Sequence, residues 1–130
     1  MIAGSKFYLA KGNQRRAAFE LHQAVEAAYS CALLTLTNYS PPSHNLKFLR
    51  GLADMDRRLV EAWPREQHRY TAWYNILNEA YVKARYSKQF EITEEALAWL
   101  VERTERLHRL VGVICGERLA ELERAASNGR

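Results

Sequence analysis

The chain has 130 residues, of which 48% are hydrophobic and 26% are charged, and its formal net charge is +4. This length and apolar content predict one compact domain with its own core and exclude a disordered chain. The positive charge favours a partner that carries phosphate, although it is too small to indicate a dedicated nucleic-acid binder. No apolar run approaches the roughly 18 residues that cross a bilayer, and residues 1–5 are too short and polar for a secretory signal, so we expect a cytoplasmic protein.

Apolar residues recur every three to four positions along long stretches, while glycine and proline are few (6 and 3). This spacing predicts an all-α, up-and-down bundle of four to five helices. The first helix is expected at residues 5–11, where Gly12 and Asn13 end it, and the second from Gln14 to about residue 39. The first helix is short for a bundle. Two explanations stay open: a helix that begins upstream in a longer protein, or one that is short by nature.

Pro41 and Pro42 end the second helix. Ser43 is the predicted N-cap of a third helix, which begins at His44 and continues to about residue 59.

Trp63 and Pro64 mark the next break, after which the fourth helix is predicted at residues 66–84 and residues 85–90 follow it as a separate segment. Thr93, with two glutamates after it, starts a long last helix. We expect one domain at residues 1–126 and a tail at residues 127–130.

The two cysteines, Cys31 and Cys115, lie inside helical patterns without CxxC spacing. This placement favours two reduced, buried thiols over a disulfide or a zinc site. The sequence indicates no metal and no cofactor.

Two histidines stand out on or beside predicted helices. His22 and Glu26 are four residues apart, so they share a helix face where they can hydrogen-bond or share a proton; a metal site would need further ligands. His44 lies at a predicted helix start, where outward-pointing N–H groups attract anions. The alternative for His44 is a surface side chain packed on the proline pair.

Cationic and aromatic side chains concentrate around the end of the fourth predicted helix. Arg85 could grip a phosphate while Tyr81 or Tyr86 stacks on a base, or Arg85 could pair with Glu26 or Glu79 and tie helices together. The other members of this group are Asn78, Lys83 and Lys88. Tyr70, Trp73, Tyr74 and Tyr81 fit a core or a dimer surface better than a stacking platform.

Four motifs in this order resemble the HEPN domains (higher eukaryotes and prokaryotes nucleotide-binding), particularly the branch found C-terminal to bacterial nucleotidyltransferase domains. The resemblance covers nearly the whole chain. The motifs are AAFELHQAVE at residues 17–26, HNL at 44–46, AYVKARY at 80–86, and EIT at 91–93 before a long helix that ends near Cys115.

The resemblance implies a helical bundle that often dimerises and a groove that binds nucleotides or cuts RNA. The family's functional positions fall on His22, Gln23, Glu26, His44 and Arg85. Ribonuclease members carry a histidine four to six residues after the arginine. Here those positions hold glutamine, phenylalanine and glutamate. The sequence therefore lacks that proton-transfer group, unless His22 or His44 replaces it from another helix.

Three function classes remain open. The preferred one is a non-catalytic nucleotide- or polynucleotide-binding domain that acts with a nucleotidyltransferase domain or protein and forms a homodimer without a membrane. Its predicted ligand contacts are Arg85, His44, Tyr81, Tyr86, His22 and Glu26, with no catalytic residue. The alternatives are a HEPN ribonuclease in a toxin-antitoxin pair and a purely structural dimerisation or protein-interaction module.

Overall fold

The computed structural model describes residues 2–129, which contain six helices and no strand. This confirms the predicted all-α bundle. None of the described helices is both long and apolar enough to cross a membrane. The helices are α1 (Ile2–Ala10), α2 (Gln14–Thr37), α3 (Leu46–Ala53), α4 (Arg57–Val60), α5 (His68–Tyr86) and α6 (Glu94–Asn128).

Helix α2 is the centre of the bundle, and α1, α3, α5 and α6 all pack against it. Its small residues Ala17, Ala18 and Ala24 are completely buried, which lets the neighbouring helices approach closely. Leu21 and Val25 are also completely buried and add apolar bulk on the same helix. The N-terminal half of α2 also forms one wall of the candidate site described below.

The predicted stop of α1 at Gly12 and the predicted starts of α2 and α6 are confirmed, whereas α1 begins at Ile2 and not at residue 5. Gly12 has a φ of 74°, the left-handed conformation that stops α1, and the Asn13 side chain accepts the N–H of Arg16 to cap α2. Thr93 caps α6 in the same way by accepting the N–H of Ala96. Local side-chain chemistry therefore sets these boundaries.

The predicted third helix is wrong in two respects. Asn45, and not Ser43, is the N-cap: its side chain accepts the N–H groups of Lys47 and Phe48. Helix α3 then ends at residue 53, because Asp56 caps a separate short helix, α4, by accepting the N–H of Arg58. The two N-caps, Asn45 and Asp56, thus divide one apolar pattern into two helices.

Helix α5 begins and ends two residues later than predicted and includes Arg85 and Tyr86 in its last turn. The chain leaves the helix at Ser87, whose N–H still bonds to the carbonyl of Lys83. The connection to α6 is held against the core by Phe90 and Ile92, which are 7% and 9% exposed. Helix α6 continues to residue 128, so part of the expected tail is helical.

The prediction of two buried thiols is wrong for Cys31, whose side chain is exposed, while Cys115 is partly buried. The next two residues, Ala32 and Leu33, are buried, so Cys31 lies at the edge of the buried face of α2. Tyr74 is buried as expected, and Tyr70 and Trp73 pack with Trp99 in a partly buried aromatic cluster.

Candidate functional site

The candidate site lies where the C-terminal half of α5 faces the N-terminal half of α2 and the segment before α3. At its centre the rings of His44 and Tyr81 stack, with centroids 3.8 Å apart and planes 13° from parallel. Phe19 of α2 lies on the same aromatic group, 6.1 Å from Tyr81. His44 therefore packs on α5.

Glu26 orients the His44 imidazole. Its Oε1 lies 2.5 Å from Nδ1 of His44, and the histidine side chain is 55% exposed whereas the glutamate is 19% exposed. Within residues 2–129, Nε2 of His44 has no hydrogen-bond partner. An exposed imidazole nitrogen held in place by a carboxylate can exchange protons with a bound molecule.

His22 supports this arrangement from inside the bundle. It is completely buried, and its Nε2 lies 2.9 Å from the carbonyl oxygen of His44. A carbonyl only accepts, so Nε2 carries the proton and donates, while the buried Nδ1 is left without a partner. Burial lowers the pKa of His22, against the raising effects of the His44 carbonyl and Glu26.

The predicted direct link between His22 and Glu26 is absent from the described part of the chain, since each bonds to a different atom of His44. The expected ligand contact at His22 is likewise corrected, because a fully buried ring cannot touch a ligand. No set of three metal-ligating side chains converges anywhere in residues 2–129.

The start of α3 is occupied by protein groups. Asn78 accepts the N–H of Leu46 at 2.6 Å, and Asn45 accepts the next two N–H groups. Asn78 also donates to Asn45 at 3.2 Å, which locks α5 to this helix start. The amides that were expected to attract an anion are therefore engaged, and any contact at His44 must come from its ring.

Arg85 lies beside the aromatic group. Its guanidinium carbon is 4.5 Å from the Tyr81 ring centroid, 4.9 Å from Phe19 and 5.0 Å from Tyr86. The Nε donates to the carbonyl of Tyr81 at 2.8 Å, which leaves both Nη groups without a hydrogen bond in the described residues. These two groups form the fork that binds phosphate bidentately.

The alternative of a structural ion pair for Arg85 is not realised within residues 2–129. Glu26 pairs with His44, and Glu79 pairs with Lys83 at 3.0 Å. The guanidinium is instead held by aromatic faces and one backbone carbonyl. Arg85 is exposed, so a bound anion can reach it.

A cavity of about 440 Å³ lies next to Arg85, and we call it the arginine cavity. Arg16 is held by Glu20 at 3.1 Å, and Arg15 donates to the carbonyls of Ser87 and Phe90. Three arginines thus border one opening. The cavity is lined by Asn13, Arg15, Arg16, Phe19, Ala84 and Arg85.

Sequence reasoning missed Arg15, Arg16 and Phe19 as members of this site, because basic residues on a helix usually lie on a solvated face. The signal was present, because residues 15, 19, 22 and 26 are spaced by four, three and four along α2 and share one face. The arginine cavity lies at the start of this face.

Tyr86 and Phe90, which follow Arg85 in the sequence, differ in their exposure to solvent. Tyr86 is 74% exposed and is available to a ligand, whereas Phe90, at one of the positions where a ribonuclease would carry histidine, is 7% exposed and packs in the core. The Phe90 side chain is therefore part of the fold and does not enter the site.

These features define a helical bundle with a groove that combines aromatic rings, an oriented histidine and unpaired guanidinium donors. The family model of the HEPN domain matches residues 2–118. The chain therefore belongs to the HEPN family, as the four motifs predicted, and is a helical domain related to nucleotides or RNA. A comparison with curated proteins finds no match to this chain.

Proposed function

We propose that this chain is a nucleotide- or polynucleotide-binding HEPN domain that holds a phosphate on Arg85 at the arginine cavity. The observation that carries the proposal is that both Nη groups of Arg85 are unengaged in residues 2–129, beside an opening bordered by two more arginines. Arg15 and Arg16 are fixed by other contacts, so they supply positive potential while Arg85 supplies the free donors.

The base of the ligand would stack on Tyr86. Tyr81 is half-buried and already covered by His44, whereas Tyr86 is largely exposed and lies 5.0 Å from the same guanidinium. A base on Tyr86 and a phosphate on Arg85 would thus be adjacent. Base stacking on one aromatic ring contributes about 1–3 kcal/mol and accepts any base.

The proposal includes a non-catalytic role beside a nucleotidyltransferase domain or protein. The non-catalytic part of this proposal is supported by the missing histidine after Arg85 and by the burial of Phe90. HEPN domains often bind RNA and dimerise, and we extend the proposal to a homodimer. Sedimentation of the purified chain tests this, and a monomer at all concentrations contradicts it.

Calorimetric titration with ATP and GTP, with and without magnesium, tests the phosphate site. We expect micromolar binding, about −8 kcal/mol, and a loss of about 10- to 100-fold in Arg85→Ala. Lys83→Ala is the matched control, because Lys83 is an exposed cation on the same helix that pairs with Glu79. An equal loss in both variants, or no binding by the parent chain, contradicts the proposal. Circular dichroism of each variant verifies the fold.

A second candidate function, RNA cleavage in a toxin-antitoxin setting, is supported by the His44 and Glu26 pair. A base oriented by a carboxylate is a recurring arrangement in proton transfer, and the exposed Nε2 of His44 is free to take part. His22 is excluded as the substitute because it is buried.

Incubation with single-stranded RNA in a chelator tests this second candidate. Cleavage that is abolished in His44→Ala and reduced in Glu26→Gln supports it. Intact RNA, or cleavage that persists in His44→Ala, contradicts it and leaves the binding proposal unaffected.

A further inference from the structure

Cys31 and Cys115 lie side by side on the bundle, one on α2 and the other on α6, although 84 residues separate them in the sequence. Their Sγ atoms are 3.7 Å apart, and both thiols are free. We propose that this pair is an oxidative modification site, at which a two-electron oxidant such as hydrogen peroxide joins the two thiols in an intramolecular disulfide.

The geometry requires only a small movement. A disulfide bond is about 2.05 Å long, so the sulfur atoms must approach by about 1.6 Å, which side-chain rotation and a slight shift of the helices can supply. The small residues Ala27 and Gly112 line a cavity of about 270 Å³ that borders both cysteines. There is therefore open space next to the sulfur atoms in which they can rotate and an oxidant can enter.

A hydroxyl group orients the less exposed thiol. Thr35 donates its only hydrogen to the carbonyl of Cys31 at 2.8 Å, so it accepts from Cys115, whose Sγ lies 3.2 Å away. The thiol hydrogen of Cys115 then points to Thr35, so Cys115 is the acceptor in its contact with the Cys31 thiol. This arrangement keeps the two sulfur atoms together in the reduced protein.

The exposed Cys31 takes the first step. Its thiolate attacks one peroxide oxygen, the O–O bond breaks, and a sulfenic acid and a hydroxide form; the hydroxide takes up the proton that the Cys31 thiol released and becomes water. The Cys115 thiolate then attacks the Cys31 sulfur, the S–OH bond breaks, and the hydroxide that leaves takes up the proton of the Cys115 thiol and becomes a second water. The two thiols thus lose two protons and two electrons, and the peroxide is reduced to two waters. Burial raises the pKa of Cys31, as does its bond to Cys115, so we expect a slower reaction than at a low-pKa sensor thiol.

Mass spectrometry of the peroxide-treated, non-reduced chain tests the site. Trypsin cuts after Arg16, Lys47, Arg109 and Arg118, so the cysteines fall in peptides 17–47 and 110–118. We expect these two peptides linked to each other, lower in mass by two hydrogen atoms, in a protein that runs as a single chain in denaturing, non-reducing electrophoresis. Thiol titration should fall from two free thiols to none and recover with dithiothreitol.

Two further readouts make the outcome decisive. The oxidised chain should have a higher Tm than the reduced one, since the bond restricts the unfolded chain over a long loop, and this rise should be absent in Cys31→Ser. Separate sulfinic or sulfonic acids on the two cysteines, or a disulfide only between two chains, would overturn the proposal. The site is independent of the phosphate-binding proposal, because neither cysteine lines the arginine cavity.

Discussion

The His44 ring stacks on Tyr81 at 3.8 Å, and this contact joins the segment before α3 to the C-terminal half of α5. Tyr81 also supports the guanidinium of Arg85 at 4.5 Å. One aromatic ring therefore positions both the imidazole and the cation of the candidate site. Because these groups come from different parts of the chain, their geometry depends on the packing of that ring.

Truncation of this ring in Tyr81→Ala should lower both stability and ligand affinity. An aromatic pair contributes about 0.5–1.5 kcal/mol beyond its buried area, and the truncated side chain no longer supports Arg85. Tyr81→Phe is the control, since it keeps the ring, and it should behave as the parent chain in urea unfolding and in ATP titration. Equal effects of the two variants would assign the loss to the phenol group.

Acidification should destabilise the fold through His22. Its pKa is lowered by burial below the usual 6.5, so the unfolded chain binds this proton at a higher pH than the folded chain. The His22 contribution to stability is therefore complete above about pH 6.5 and decreases as the pH falls towards the folded pKa. The added proton would sit on Nδ1, which is buried and has no acceptor within residues 2–129.

Urea unfolding at about pH 7.5 and about pH 5.5 measures this effect. The parent chain should lose more stability on acidification than His22→Gln, although the variant is less stable at both pH values. His68→Gln serves as the control because His68 is exposed at the start of α5, and it should keep the pH dependence of the parent. Identical pH dependence in His22→Gln and the parent would refute the assignment.

The sequence predicted the helices well because their signals are local. Gly12, Asn13 and Thr93 act on neighbouring backbone groups, and the apolar spacing identifies which faces of α2 and α6 are buried. It failed at α3, where Ser43 and Asn45 are both plausible caps and Asn78 of α5 engages the first amide of the helix that Asn45 caps. A contact 32 residues away cannot be read from a local pattern.

For the candidate site, the sequence predicted several of the residues that lie together, but it did not predict how they are arranged. The structure does bring together His44, Tyr81 and Arg85. The sequence could not show that His22 is buried, because the helical period indicates the side of the helix on which a residue lies and not how deeply its side chain is buried. The sequence also did not show that Arg16 lines the arginine cavity. Its proximity to Arg85 arises from the packing of α2 against α5, which the sequence of either helix alone does not specify.

The cap of α3 gives a direct test of the corrected helix start. Asn45→Ala should destabilise the protein by about 1 kcal/mol, the usual cost of losing an N-cap, because two amides of α3 lose their acceptor. Ser43→Ala removes only a bond to the N–H of Asn45 and should have a much smaller effect. Urea unfolding of both variants decides between the two caps, and a larger loss in Ser43→Ala would restore Ser43 as the cap.

The replacement Arg85→Lys separates the shape of the guanidinium from its charge. Lysine keeps the positive charge but is a point donor without the planar fork, and it cannot bond to the Tyr81 carbonyl while it holds a phosphate in two places. We expect ATP affinity to fall by about 5- to 10-fold in titration, which corresponds to about 1 kcal/mol, with an unchanged Tm. The loss should be smaller than in Arg85→Ala, because long-range attraction persists. If Arg85→Lys binds ATP as tightly as the parent, the site recognises its ligand by charge alone, and the bidentate contact is refuted.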